Sequence, residues 1–301
     1  MIFDHLLDPD LPAPLVWFVL VWLFAVGACI GSFMNVVIYR LPAGLSLLHP
    51  PSRCPDCETP IRATDNVPIV GWLWLRGRCR KCRARISPRY PAVELLVAIV
   101  FAGLAWVGPL SSGNNLPSSA HGLTMSQLWE IYAFHLYLAC SLICAAFIEY
   151  DGHTLPTRLT VPAVILGLAA PLIWPHLRPL AGGGISEPFP SALVRGLLGV
   201  LTGAALGYAM GWTRRFVLGE RTSFRRTKDH NNSAIALAWV GSFLGWQAAA
   251  GVAAVAVLTQ FAMAAVGRIM PVARCFGLTR WIAVWSVVWI MEWKRIAEFL
   301  P

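Results

Sequence analysis

Eight apolar stretches, separated by polar or basic segments, restrict what this chain can fold into. Most approach the roughly 20 residues that an α-helix needs to cross a bilayer, although the sixth and eighth are short. The predicted spans are 15–37, 92–107, 128–148, 159–174, 193–212, 234–245, 247–266 and 281–293. Only 13% of the 301 residues are charged, against about a quarter in soluble domains. The sequence therefore predicts an all-α polytopic membrane protein of about eight transmembrane helices and excludes a soluble enzyme.

The basic residues are concentrated between alternate spans. Of the 24 Lys and Arg residues, 20 fall in the segments 40–90, 151–158, 213–233 and 267–280. Because basic loops tend to remain in the cytoplasm, this bias predicts a multi-pass protein of the bacterial inner (plasma) membrane with its N-terminus outside. We interpret the net charge of +9 as a topology signal with some attraction to anionic membrane lipid, rather than as a sign of nucleic-acid binding.

Four of the eight cysteines lie in the long segment that is predicted to be cytoplasmic. They form two C-x-x-C pairs, Cys54 with Cys57 and Cys79 with Cys82, separated by 21 residues. Two such turns can supply four thiolates in the tetrahedral arrangement that zinc prefers. Disulfides are the alternative, but they rarely persist in the cytosol. We therefore predict a structural zinc ion in a zinc-ribbon-like loop.

These features divide the chain into three predicted regions. Residues 1–39 hold the first span and its tail, 40–91 form the cysteine loop, and 92–301 form the remaining membrane-embedded part. Glycines recur every four residues in the first span, at Gly27 and Gly31, and in the fifth, at Gly199, Gly203, Gly207 and Gly211. Such stripes let helix backbones approach closely, so we predict that they are helix-packing surfaces.

Several motifs resemble one known family of membrane proteins. Residues 31–42 read Gly-Ser-Phe-Met-Asn-Val-Val-Ile-Tyr-Arg-Leu-Pro, and the paired cysteines follow them. Next come Asn-Val-Pro at 66–68 and Ile-Ser-Pro-Arg-Tyr-Pro-Ala-Val-Glu-Leu at 86–95. Leu-Pro at 155–156 and Gly-Trp-Gln at 245–247 continue the pattern. In order and spacing these blocks resemble type IV prepilin peptidases, over nearly the whole chain.

The resemblance implies a function that the residues alone do not show. Members of this family are membrane-embedded aspartic endopeptidases that remove short basic leaders from pilin and pseudopilin precursors at the cytoplasmic face. Many also methylate the new N-terminus with S-adenosylmethionine, for which this sequence offers no separate motif. Pilin or pseudopilin precursors are therefore the expected partners.

The resemblance also places the family's two catalytic aspartates, and this chain departs from the pattern at both. Counting from Leu-Pro puts the first at Glu149, with Asp151 two residues later. Counting from Gly-Trp-Gln puts the second at Ser233, with Asp229 four residues before it. A serine hydroxyl cannot share a proton with a carboxylate near neutral pH. We therefore expect any acid pair to combine Glu149 or Asp151 with Asp229.

Structural roles compete with catalysis at these positions. Residues 231–233, Asn-Asn-Ser, precede an apolar run and are typical of a helix N-cap. Glu149 can be an interfacial carboxylate, and Asp151 can belong to a turn around Gly152. Acidic residues are candidates for binding a basic leader, or else solvated charges: Glu58, Asp65, Glu94 and Glu220.

Two functions remain open at this stage. The first is a prepilin leader peptidase with a rearranged acid pair. The second is a catalytically inactive member of the family that binds pilin-like helices or assembly components as a scaffold. A transporter is disfavoured, because no predicted span carries a central ionisable pair or an evident broken-helix repeat.

Overall fold

The computed structural model describes residues 12–117, 122–178, 189–218, 223–266 and 278–297. Within these ranges the chain forms ten α-helices and no β-strand, with two isolated β-bridges in the cysteine loop. The helices are α1 (Ala13–Arg40), α2 (Val70–Trp74), α3 (Arg89–Val107), α4 (Met125–Tyr150), α5 (Thr157–Ile173), α6 (Phe189–Leu218), α7 (Ser223–Leu244), α8 (Trp246–Val266), α9 (Leu278–Met291) and α10 (Trp293–Ala297).

Five of these helices are long and apolar enough to cross a membrane, judged over the described ranges. They are α1, α3, α4, α6 and α8. Two further apolar helices, α5 and α9, are shorter. The eighth predicted span corresponds to α9, and the sixth to the second half of α7. These helices confirm the prediction of an all-α polytopic membrane protein.

Helix α7 begins well before the position that the sequence predicts. The apolar run suggests a start at 234, but the helix begins at Ser223. Asn231, Asn232 and Ser233 are therefore interior residues of α7, and the N-cap interpretation is wrong. The basic segment before them contains no proline or glycine, and Arg and Lys are good helix formers, so the helix continues through it.

The chain divides into two compact units, Leu11–Trp106 and the remainder. In the first unit, α1 packs closely on α3. A Cβ on Gly27 would lie 2.8 Å from the Cα of Ala98, and one on Gly31 would lie 2.7 Å from the Cα of Glu94. Real Cβ atoms do not approach backbone so closely, so only glycine allows this contact. The first glycine pair is a helix-packing surface, as predicted.

In the second unit, the glycine stripe of α6 packs on α7. A Cβ on Gly199 would clash with the backbone of Gly241, one on Gly203 with Leu237, and one on Gly207 with Ser233 and Ala234. Three successive turns of α6 thus lie directly against the backbone of α7. This contact confirms the packing role of these three glycines and fixes the register of α7.

Helix α4 lies at the centre of the second unit. Most of its described side chains are buried, and Leu138, Leu142 and Ile148 have no accessible surface. On the facing helix α7, Phe243 stacks on Phe134 with ring centroids 4.4 Å apart. The stack holds the first half of α4 against α7, and the buried Ile148 anchors the other end of α4, next to Glu149.

Candidate functional site

The four cysteines of the predicted metal site lie together in the first unit. Their sulfur atoms are all within 4.8 Å of one another. Cys54 Sγ lies 3.7 Å from Cys82 Sγ, and Cys57 Sγ lies 3.9 Å from Cys79 Sγ. Four thiolates around zinc, with Zn–S bonds of about 2.3 Å, are about 3.8 Å apart in a regular tetrahedron. The cluster can therefore hold one metal ion, and its donor set fits zinc.

Two equivalent turns position these sulfurs. In the first, the Cys54 amide donates to the Thr59 carbonyl, and the Glu58 amide donates to the Cys54 carbonyl. In the second, the Cys79 amide donates to Ala84 O, and the Arg83 amide to Cys79 O. The residue after each second cysteine, Glu58 or Arg83, has a positive φ of 53° or 62°. This left-handed residue lets the backbone fold back in both turns.

Hydrogen bonds favour the thiolate form of two of these cysteines. The Thr59 hydroxyl, 3.4 Å from Cys57 Sγ, and the Thr59 backbone amide lower the pKa of Cys57 to about 6. Backbone amides of Cys82 and Lys81 lower the pKa of Cys79. Because metal ligation requires thiolates, these hydrogen bonds favour the cation-binding form of Cys57 and Cys79.

Two acidic residues of the first unit, Asp65 and Glu94, have partners within that unit. The Asp65 carboxylate accepts from Arg80 Nε at 2.9 Å, and a hydrogen bond from this guanidinium lowers the pKa of Asp65. The buried Glu94 accepts from the Ile69 amide at 2.6 Å. Neither is a free site for a basic leader. Glu58 is exposed, and Glu220 lies outside the described residues.

The family-like motifs of the first unit contact one another through the same helix pair. The Asn35 side-chain amide, in α1, donates to the Tyr90 carbonyl at the start of α3, at 3.1 Å. Gly31 allows the approach of Glu94, which in turn holds Ile69 next to the Asn-Val-Pro segment. These residues thus fix the cysteine loop to the ends of α1 and α3.

In the second unit, Glu149 lies in the last turn of α4 and is 9% exposed. Its Oε2 accepts a hydrogen bond at 3.2 Å from the Thr279 amide in the first turn of α9. Backbone amides at a helix start lack intrahelical acceptors, and a negative charge there is stabilised by the helix dipole. Glu149 therefore binds the N-terminus of α9, a contact that its sequence neighbours do not reveal.

A tight turn follows Glu149. The Gly152 amide donates to Glu149 O and the His153 amide to Ile148 O, while Gly152 has a φ of 79°. These two bonds are the Schellman arrangement that ends many helices at a left-handed glycine. Asp151 stands at this helix end and is exposed. The turn role predicted for Asp151 is confirmed.

Asn232 connects α7 to this turn. Its Oδ1 accepts from the Leu155 amide, and its Nδ2 donates to the His153 carbonyl, both at 3.0 Å. The side chain is almost completely buried, with 1% of its surface exposed. Sequence reasoning assigned Asn232 to a helix cap and missed this contact, because only the three-dimensional packing brings residues 153–155 beside α7.

Ser233, which the motif spacing predicts at the second family position, is completely buried. Its backbone faces Gly207 of α6. Asp229 belongs to α7, one helical turn before Ser233, but its side chain lies outside those that the structure describes. The structure therefore places the α4 end and the middle of α7 together through Asn232.

Comparison with known proteins finds similarity in both units. Residues 25–107 match the family described as the bacterial peptidase A24 N-terminal domain. The prepilin leader peptidase/N-methyltransferase of Aeromonas hydrophila is 33% identical over 259 residues, which cover 78% of this chain and 76% of that protein. The chain belongs to the prepilin leader peptidase family. This confirms the resemblance drawn from the motifs.

Other members of the family give similar values. The protein of the same name from Pectobacterium carotovorum is 30% identical over 87% of this chain and 88% of its own length. The one from Neisseria gonorrhoeae is 32% identical over 73% and 72%. No solved structure matches. The similarity to these relatives extends beyond the cysteine unit into the second unit, where Glu149 and Ser233 lie.

Proposed function

We propose that this protein recognises type IV pilin-like precursors at the cytoplasmic face of the bacterial inner membrane and removes their leader peptides. In this proposal Asp151 and Asp229 form the acid pair, and Glu149, in the last turn of α4, supports it by binding the start of α9. The observation that carries the proposal is the contact of Asn232 with residues 153–155, since it joins α7 to the turn that bears Asp151.

The helical geometry of α7 favours Asp229 as the second acid. Asp229 precedes Asn232 by three residues in one continuous helix, a rise of about 4.5 Å. Asn232 is hydrogen-bonded to residues two and four positions after Asp151. In such a pair Asp229 lies about one helical turn before Ser233, and Asp151 lies two residues after Glu149.

Two carboxyl groups at close range share one proton, because both cannot ionise cheaply. The ionised partner takes a proton from water as the water attacks the peptide carbonyl. The protonated partner donates to the leaving amine. Glu149 is less suited to this exchange, since its carboxylate is buried and already accepts from the α9 amide.

A second candidate function is recognition of the same precursors without cleavage. Two observations favour it: the complete burial of Ser233 and the engagement of Glu149 at a helix N-terminus. Both family positions would then have been converted to packing roles. The precursor-binding surface would remain, and the protein would act as a scaffold in pilus assembly.

One experiment distinguishes the two functions. The purified full-length protein in lipid nanodiscs is incubated with a type IV pilin precursor, and the precursor mass is followed. Loss of the leader by the wild type, abolished by Asp151→Asn and kept by Glu149→Gln, supports the displaced acid pair. Co-purification of an uncut precursor supports the scaffold. A precursor that is neither cut nor bound contradicts both.

We further propose that the cysteine cluster binds zinc in a structural role. All four protein ligands are thiols at tetrahedral spacing, so no ligand position remains for a reacting water. Methyl transfer from S-adenosylmethionine is proposed from the relatives' name alone, and we assign no residue to it. Transfer of a labelled methyl group to the trimmed precursor is its test.

A further inference from the structure

The short helix α2 has an exposed apolar surface in the middle of the cysteine loop. Three of its five residues are large hydrophobic side chains facing solvent: Val70 is 56% exposed, Leu73 59% and Trp74 77%. An apolar group of this kind on an extramembrane segment usually marks contact with a membrane or a partner. Tryptophan in particular is enriched at membrane interfaces.

The residue before α2 is held beside the membrane helices rather than beyond their ends. Ile69, directly before α2, donates its amide to Glu94 at 2.6 Å. Glu94 is five residues into α3, about 7 Å from its start, and its backbone packs on Gly31 of α1. Gly31 is nine residues, about 13 Å, before the end of α1 at Arg40.

This depth corresponds to the membrane interface. The second predicted span begins at residue 92, two residues before Glu94. Glu94, which holds Ile69, therefore lies only about 3 Å inside the predicted boundary of the membrane core. The start of α2 is thus fixed at the boundary between acyl chains and headgroups.

The charges that follow α2 indicate which kind of surface this helix contacts. Between residues 66 and 93 the sequence has no Asp or Glu and seven Arg and Lys residues. Arg76 and Arg78 come directly after α2 and are exposed. A basic leader peptide would be repelled here, whereas anionic phospholipid headgroups would be attracted by about 1 kcal/mol per basic residue.

We propose that α2, with Arg76 and Arg78, is an interfacial anchor that lies in an anionic lipid leaflet. Val70, Leu73 and Trp74 insert among the upper acyl chains, and the two guanidinium groups bind lipid phosphates. The two cysteine turns and the Glu94 contact hold this anchor at a fixed depth. The proposal does not depend on peptidase activity.

Photo-crosslinking in nanodiscs tests the depth. p-Benzoylphenylalanine replaces Trp74, and the mass of the illuminated full-length protein reports lipid adducts. The same probe at Ile99, an exposed residue within α3, is the lipid-facing control. The probe at Asp56, which is exposed in the first cysteine turn, is the aqueous control. We expect the yield at position 74 to approach that at 99. A yield no higher than at 56 would overturn the proposal, as would an adduct formed only with added precursor.

Competition between a neutral and an anionic lipid tests the role of Arg76 and Arg78. In nanodiscs of equal phosphatidylcholine and phosphatidylglycerol, the adducts at position 74 should be enriched in phosphatidylglycerol. Arg76→Gln and Arg78→Gln should each reduce this enrichment by up to about fivefold, following the energy per basic residue. Arg53→Gln, in the same loop but distant in sequence from α2, is the matched control. An enrichment that is absent, or unchanged in both arginine variants, contradicts the anchor.

Discussion

Individual side chains in the second unit hold the helix ends together. Asn232 satisfies one carbonyl and one amide of the turn after α4, and Glu149 satisfies an amide at the start of α9. Each is buried, so a lost partner cannot be replaced freely by water. Single substitutions at these two residues therefore test the structural contacts separately from catalysis.

Asn232→Ala should destabilise the protein by about 1–3 kcal/mol, since it leaves buried backbone groups at residues 153 and 155 without a partner. The matched control is Asn231→Ala, because its neighbour Asn231 is exposed in the same helix turn. Thermal unfolding in detergent measures both. Equal melting temperatures for the two variants would show that the Asn232 contact does not stabilise the fold.

Glu149→Ala should also lower the melting temperature, because the Thr279 amide loses its acceptor in a buried position. Glu149→Gln keeps an acceptor oxygen and loses only the charge at the start of α9, worth about 0.3–1 kcal/mol. We therefore expect Gln to cost clearly less than Ala. The helix-capping role would be wrong if the two variants unfolded alike.

At the scale of elements, close backbone contacts fix the α6–α7 pair in one unit and the cysteine loop in the other. Close packing of glycines fixes the register between α6 and α7, which places Asn232 beside the α4 turn. Paired turns fix the cysteines independently in the other unit. Each element can be tested without affecting the other.

Gly203→Ala should weaken the α6–α7 contact by about 1–3 kcal/mol, since its Cβ would clash with the backbone of Leu237. Gly103→Ala in α3 is the control, because a Cβ there meets nothing within 4 Å. Thermal unfolding should show a loss at 203 and little change at 103. A tolerated alanine at 203 would contradict the close contact.

The cysteine loop should bind about one zinc ion per chain, which elemental analysis of the purified protein measures. Cys54→Ser should reduce the metal content to near zero, whereas Cys29→Ser, in α1 and outside the cluster, should not. Limited proteolysis of the loop should become faster in the metal-free variant. A full metal content in Cys54→Ser would rule out this site.

The sequence predicts the cysteine cluster and the glycine contacts because both follow from short, regular spacings. The long helices are also predictable, since their apolar runs span enough residues. The start of α7 cannot be predicted in this way, because the basic first half of this helix resembles a loop in composition. The contacts of Glu149 and Asn232 join residues 130 and 77 positions apart, so only the packing of the helices reveals them.

At the scale of the whole molecule, the chain is a member of the prepilin leader peptidase family for which we propose Asp151 and Asp229 as the acid pair. The basic bias of the sequence predicts that the cysteine loop, the turn after α4 and the start of α7 all face the cytoplasm. Reporter fusions after residues 60 and 222 should therefore both report the cytoplasm, and one within 112–117 the outside. Fusions at 60 and 222 that report opposite sides would contradict this topology.

The most direct test of the displaced pair is the rate of leader removal by the wild type and by Asp229→Asn, with Asn231→Ala as the control. We predict that the wild type releases the leader, that Asp229→Asn lowers the rate at least about a hundredfold, the scale of a lost general acid or base, and that Asn231→Ala leaves it nearly unchanged. An uncut precursor with the wild type, or full activity in Asp229→Asn, would contradict the account.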